Sequence, residues 1–160
     1  MALDLFLKVD GINGESTDSK HKDWIDVTSF GWGVENAQRA IPEGGGGAGR
    51  ASFHNMRIVK VLDKSSPKLM LACASGQHIP HAQLQVCKPS APRDLMLEFT
   101  LSEVFVTSFE EAEPQGGNRP EEQVSLTFGK IEMTYNRQGR AGQLAESIKA
   151  GWDITQNRGV

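Results

Sequence analysis

The side chains best suited to chemistry are Cys73, His78, His81 and Cys87, which fall within fifteen residues and carry the thiol and imidazole donors that zinc takes. Their spacing fits no familiar pair of zinc knuckles. Cys73 falls on the apolar face of a predicted helix, whereas His81 and Cys87 share the strand face opposite Ala82, Leu84 and Val86, so the set is expected to scatter and to hold no metal. Gly44-x-Gly46-x-x-Gly49 matches a dinucleotide fingerprint, and Gly44 to Ala51 resembles a phosphate loop with Arg50 and Ala51 at the Lys and hydroxyl positions. Both need a strand before and a helix after, because a helix N-terminus holds the phosphates. A strand pattern with Phe53, Met56 and Ile58 follows instead, which leaves a flexible connecting or docking loop. No Gly-x-Ser-x-Gly elbow is present, and no Ser or Cys sits in a recognisable elbow beside a histidine. Glu110 with Glu111, and Glu121 with Glu122, are paired carboxylates that read as solvated surface rather than as a general acid and base. The expectation is a protein that is no enzyme and takes no cofactor.

The elements that carry these residues are mainly strands. Leu3, Leu5, Leu7 and Val9 alternate with Asp4, Phe6 and Lys8, the two-residue period of a half-buried strand. Asp10 to Gly14 supplies turn chemistry, and the polar stretch to Asp23 reads as a surface loop. From Trp24 a second strand pattern begins, with Ile25 and Val27 at odd positions but Phe30, Trp32 and Val34 at even ones. Its inward face therefore changes parity near Thr28-Ser29. The same change recurs at Gly129, between Val124, Leu126, Phe128 and Ile131, Met133, Tyr135. Such kinks are what curling a sheet into a barrel requires. Leu95 to Phe109 forms one strand pattern far longer than the usual five or six residues. Shorter strands are predicted at Ser52 to Leu62, Ala82 to Lys88 and Lys149 to Gln156.

One segment departs from this period. In Ser65 to Gly76, Ser66 suits the N-cap, Pro67 the first helical position and Gly76 the stop, with Leu69, Ala72 and Cys73 on one face. The predicted fold is mainly β: an antiparallel two-sheet barrel or sandwich, with one short helix against an opening. Ala37 to Gly49 and Glu110 to Glu121 remain as long irregular stretches, the first places to seek partner contacts.

Composition narrows the class. At 160 residues the chain is expected to form one domain, 1–160. With 38% hydrophobic and 23% charged residues it is too apolar for disorder and too polar for a membrane protein. A net charge of −3, with no run of Lys or Arg beyond two, argues against a nucleic-acid partner. No apolar run reaches the roughly 18 to 20 residues of a membrane helix, so no direct membrane insertion is expected. The N-terminus lacks a basic region, a long apolar region and a cleavage site, so export would need another route. Two cysteines are too few for a disulfide scaffold. Outward strand positions carry Gln83, Gln85, Thr100, Ser102, Ser125 and Thr127 more often than Lys or Glu. That pattern suits a surface packed on copies of itself or lining a passage, and it equally reflects the ordinary β-propensity of Thr and Ser.

Several separate motifs resemble the Hcp (haemolysin-coregulated protein) family of bacterial type VI secretion systems. They are Gly14-Glu15-Ser16, Asp18, His21, Ile25-Asp26-Val27, Phe30, Trp32-Gly33, the Gly44 to Gly49 run, Asp63-Lys64-Ser65-Ser66-Pro67, Leu69-Met70, Ala72 to Gly76, and Gly151-Trp152-Asp153-Ile154 with Gln156-Asn157. The likeness runs in order along essentially the whole chain.

The resemblance implies a tube subunit related to phage tail tube proteins. Its rings would be homohexamers that stack into a hollow tube, inside a contractile sheath with baseplate proteins and capped by a VgrG-type spike. Effector proteins would ride in the lumen. Such a subunit assembles in the cytoplasm and is then secreted to the extracellular space or into target cells without a signal peptide. Gly44, Gly45, Gly46, Gly47, Ala48 and Gly49 are implied to reach the adjacent ring. If Phe30, Trp32 and Val34 face the core, Ser29, Gly31 and Gly33 face away, into the lumen. The chain ends soon after Asn157, so a plain subunit without a fused toxin domain is expected. Asn136 to Ser147 matches the family poorly and its role is open. Two alternatives stand beside this reading: a tail-tube-like subunit of another contractile injection device, and a hydrolase.

Overall fold

The computed structural model describes residues 3–37, 50–89 and 94–160. Its elements in order are β1 (Asp4–Val9), β2 (Ile25–Val27), β3 (Ser29–Gly31), β4 (Val34–Asn36), β5 (Ala51–Phe53), β6 (Met56–Val61), α1 (Ser66–Ser75), β7 (Ile79–Cys87), β8 (Leu95–Ala112), β9 (Glu121–Gln138), β10 (Leu144–Asp153) and β11 (Arg158–Gly159). Every strand pairing among the described residues is antiparallel. The main sheet runs β11-β10-β9-β8-β7-β1-β2, with β6 joined to β9 and β3 to β6, while β4 and β5 form a separate ribbon.

The parity change at Thr28 is real and sets the topology. β2 pairs with β1, whereas β3 pairs with β6. Between them the Thr28 N–H donates to Val59 O at 2.7 Å. The expected barrel is therefore curled but not closed as a ladder: the circuit from β3 back to β2 passes through the covalent chain at Thr28.

At Gly129 the two long strands bend together. Leu101 pairs with Ile131 on one side and Val104 with Phe128 on the other, so no residue is inserted and the register holds. Buried residues nevertheless switch from Phe99 and Leu101 to Val104 and Val106 in β8, and from Phe128 to Ile131 in β9. Glu103 takes up this twist with φ 54°. A true register shift follows between Val106 and Ser108.

The core gathers Leu7, Ile25, Ile58, Leu69, Leu84, Phe99, Leu101 and Leu126, with the rings of Phe30 and Trp32 edge-on to Phe99. α1 lies against β8 with Leu69 and Ala72 buried. Gly76, at φ 65°, ends the helix, and its N–H and that of Gln77 bond back to the last turn.

Several expectations are corrected. The helix cap is Ser65, whose hydroxyl donates to Asp63 instead of capping the helix, and Ser66 is the first helical residue with its hydroxyl committed elsewhere. Val34 is exposed, because the chain has left the core to form the β4–β5 ribbon. The irregular stretch expected from Glu110 to Glu121 is shorter: Glu110 to Ala112 end β8, Glu121 starts β9, and 113–120 connects them. Cys87 does not share the face of His81, because a register shift after Val86 turns it into the core. Residues 136–147 form the end of a long β9–β10 hairpin. The polar stretch before β2 is a surface loop as expected, pinned at Ile12, Ser16 and His21, which are buried, with His21 stacked on Phe6 at a ring-centroid distance of 4.0 Å.

Candidate functional site

Three surfaces and one buried cluster could carry function. The first surface is the outer face of β3, β6 and β9. Ser29 pairs with Val59, Gly31 with Arg57 and Arg57 with Ser125, so small and neutral side chains with one guanidinium share this face. Ser29 is exposed and Gly31 half-buried. A side chain at Gly31 would meet the Arg57 guanidinium at 3.5 Å. Gly33 lies beyond β3, its carbonyl accepting from the His54 N–H at 2.9 Å, so it belongs to the start of the β4–β5 ribbon. Of the neutral outward residues, Ser125 belongs here and Thr127 pairs with Phe105. Gln83 pairs with Thr100, and His81 with Ser102, on the face of β7 and β8. All six of those neutral residues are half-buried.

The second surface is the β4–β5 ribbon. Its connecting segment, with Gly44, Gly45, Gly46, Gly47, Ala48 and Gly49, lies outside the described residues. At its base Val34, Phe53 and Trp152 line an open groove of about 600 Å³.

The third is the β9–β10 hairpin. Beyond Ile131 the core face of β9 continues with Met133 and Tyr135, and β10 places Ala150 and Ile148 opposite them. Met133, Tyr135 and Ile148 are 40%, 43% and 52% exposed, so among the described residues an apolar face runs out past the core uncovered. The outer edge of β10 meets β11 at Trp152 and Asp153, and the Gly151 carbonyl accepts from the Val160 N–H at 3.2 Å, which leaves residues 144–150 unpaired along that edge among the described residues. The sequence hid this surface because its apolar residues are interleaved with Arg137, Glu146 and Lys149. Only the pairing register assembles them.

The buried cluster corrects the reading of one of the four carboxylates as solvated: Glu110, Glu111 and Glu121 are exposed, whereas Glu122 is buried. Met56, Ile58 and Lys60 alternate on the core side of β6, and Glu122 stands in line with Val124 and Leu126 on β9. Lys60 and Glu122 are register partners, both fully buried, with Nζ 2.6 Å from Oε1. Lys60 also lies 3.0 Å from Asp63 Oδ1 and donates to Ser66 Oγ at 3.1 Å. The Ser66 hydroxyl donates to Glu122 Oε1 at 2.7 Å, which ties the start of α1 to the sheet. Burial pushes the Glu122 carboxyl upward, but hydrogen bonds from Glu111, Lys60 and Ser66 and the Lys60 charge outweigh it and hold the group below its ordinary value. A charged residue at core parity in each strand is the signal that could have shown this pair.

The possible metal donors do not converge. Cys87 is in the core and Cys73 half-buried on α1, while His78 faces Glu103 and His81 lies 3.5 Å from Asp10. Among the described residues no group of three or more His, Cys, Asp or Glu side chains could hold a metal ion. The motif residues are largely structural. A side chain at Gly14 would strike Ile25 Cα at 2.5 Å, and His21 Nδ1 and Nε2 lie 2.6 Å from Asp18 and Gln85 oxygens.

Comparison with known proteins agrees with this frame. Residues 6–135 match the family model described as type VI secretion system effector, Hcp. Protein hcp1 of Pseudomonas aeruginosa is 37% identical over 159 residues, covering 98% of both chains. Among solved structures, a type six secretion system protein superposes with a TM-score of 0.93 at 30% identity, covering 99% of this chain and 100% of that one. Hcp1 from Salmonella typhimurium gives 0.81 at 33% identity, with all of both chains covered.

Proposed function

This chain belongs to the Hcp family, the tube and effector proteins of type VI secretion systems, and from that premise we propose that it works by self-assembly rather than by turnover. Copies close into homohexameric rings, the rings stack, and effector proteins travel in the hollow. The observation that carries this reading is the β9–β10 hairpin, whose apolar face and unpaired edge project beyond the core. Burying Met133, Tyr135 and Ile148 against the next copy around a ring removes them from water, and a head-to-tail contact of this kind closes by rotation.

The face bearing Ser29 and Gly31, with Gly33 at its margin, lines the lumen in this arrangement. Its small neutral side chains leave room and present no dense charge to a passenger. The segment Gly44 to Gly49, carried on the β4–β5 ribbon, reaches the adjacent ring. Ordering glycine-rich backbone costs entropy, so contact between rings is weaker than contact within one. A VgrG-type spike, a contractile sheath and a baseplate are the further partners. Assembly takes place in the cytoplasm, and the secretion machine carries the subunit out.

Native mass spectrometry with negative-stain microscopy tests the reading. Closed rings of uniform subunit number are expected, and a protein that stays monomeric at high concentration overturns it. Substituting a large residue at Gly31 should alter cargo retention while rings persist.

A further inference from the structure

The charged cluster at the end of the core has a third member. Glu122 is the register partner of Lys60 in β6 on one side and of Glu111 in β8 on the other. The next rung inward is apolar, Ile58, Val124 and Phe109. A row of one ammonium and two carboxyl groups therefore crosses three adjacent strands at the point where the β8–β9 hairpin leaves the core. Glu122 Oε1 receives both Lys60 and Ser66, whereas Oε2 is buried and receives no N–H or hydroxyl donor among the described residues. A buried carboxylate oxygen without a donor is costly. Glu111 is the cross-strand partner of Glu122 in β8, which places its carboxyl as the neighbour able to meet Oε2, and two carboxylates can bond to each other only if one keeps its proton.

We propose that Glu111 and Glu122 share a proton, and that this pair makes the outer end of the β8–β9 hairpin a pH-responsive element, closed while the proton lies between them and loosened when Glu111 ionises. The charges around the pair favour a proton over a metal. Lys60 already neutralises Glu122 on one side, Asp63 faces Lys60 from the segment before α1, and Ser66 is the only contributor from α1 itself. Glu121 follows in β9 opposite Ala112, and Glu113 and Arg119 share a cleft with Glu111. The carboxyl of Glu111 is held above its ordinary 4.5 chiefly by the hydrogen bond to Glu122, then by burial and the Glu122 charge, with Lys60 acting the other way. A raised value places the sign. The proton's contribution is complete at pH below the ordinary carboxylate range and disappears as pH rises through the Glu111 value.

Hydrogen exchange on the assembled full-length protein tests this, with Glu111→Gln as the reference. The amide of the variant can donate to Glu122 at any pH, and Glu111 is exposed, so the substitution leaves the core untouched. At about pH 4 the two proteins should protect the peptides spanning 107–113 and 120–124 alike. At about pH 8 the wild type should exchange there about tenfold faster than the variant, while β1 and β7 match. An unchanged ratio between the two pH values overturns the proposal. A second measurement needs no variant: the carboxyl carbon resonances of Glu111 and Glu122 in the wild type should move together through one shared transition. Independent titration of Glu111 in the manner of a free glutamate overturns it equally.

Discussion

Glu103 and Gly129 stand opposite one another where β8 and β9 both change face, and a Cβ added at Gly129 would lie 3.1 Å from the Glu103 Cβ. Thr155 Cγ2 closes the other side at 3.3 Å. Gly129 is thus a contact point for three segments, and the paired bend depends on its missing side chain. Gly129→Val should destabilise the protein by about 1–3 kcal/mol, seen as a lower urea midpoint at unchanged slope. A variant as stable as the wild type would show that the bend does not need the gap.

The Lys60–Glu122 pair is costly to break from one side. Lys60→Met leaves a buried carboxylate without its cation and should cost about 3–5 kcal/mol. Lys60→Met combined with Glu122→Leu should recover most of that loss, since Asp63 still accepts from the Ser65 N–H and Ser66 still accepts from the Asp63 N–H. Equilibrium denaturation of the two variants gives the comparison. A double variant no more stable than the single would mean that the helix anchor, not the buried charge, dominates.

Gly14 is held by backbone. Its N–H donates to Asp23 O at 2.8 Å, and a Cβ would sit 2.5 Å from both Ile25 Cα and Trp24 O. Main chain cannot swing away as a flexible side chain does, so Gly14→Ala should cost about 3 kcal/mol or prevent accumulation of folded protein. Thermal unfolding checks this; a shift under about 2 °C contradicts it.

Strand positions and face changes were legible in the sequence because burial parity is written in the alternation of Ile25, Val27 and Phe30, and of Phe128, Gly129 and Ile131. What that alternation could not give was register. Glu121 and Glu122 look alike in a line of text. Only the pairing of Glu122 with Lys60, sixty-two positions away, turns one of them into a core residue. Cys87 was misplaced for a related reason, since a register shift after Val86 changes its face without altering composition. The hairpin surface escaped notice because an apolar residue at every second place in a polar segment gains meaning only beside its cross-strand neighbour, as Tyr135 does beside Ile148. Ser29, Gly31 and Gly33 form a set only by sequence parity and by resemblance. The structure separates Ser29 and Gly31, on β3, from Gly33, which has left the strand.

Asp153 gives a pH-dependent prediction at the other end of the sheet. Its carboxyl is held below the ordinary 3.8 chiefly by the Thr155 hydroxyl, which donates to Oδ1 at 2.6 Å, and then by the Gln156 N–H at 3.0 Å. A lowered value means that the turn is supported above the ordinary carboxylate value and loosens as pH falls through the folded one. Thr155→Ala should move that loosening to higher pH. Amide resonances of 154–159, followed in acid, report it, and an identical profile in both proteins would remove Thr155 as the cause.

The exposed face of the β9–β10 hairpin separates assembly from folding. Tyr135 and Ile148 lie opposite each other, about half exposed, on the same face as the buried rung of Leu101 and Ile131 but two rungs further out along the hairpin. Because they contribute little to the core of one copy, Tyr135→Glu with Ile148→Glu should leave the urea midpoint of the separated subunit within about 0.5 kcal/mol of the wild type. In a ring the same carboxylates would be buried without partners, at a cost of several kcal/mol for each copy, enough to prevent closure. Sedimentation velocity should then find monomer under conditions where a closed ring is expected of the wild type. If the double variant still closes, the ring is held by another surface, and the unpaired edge of β10 becomes the next place to place a charge or a proline.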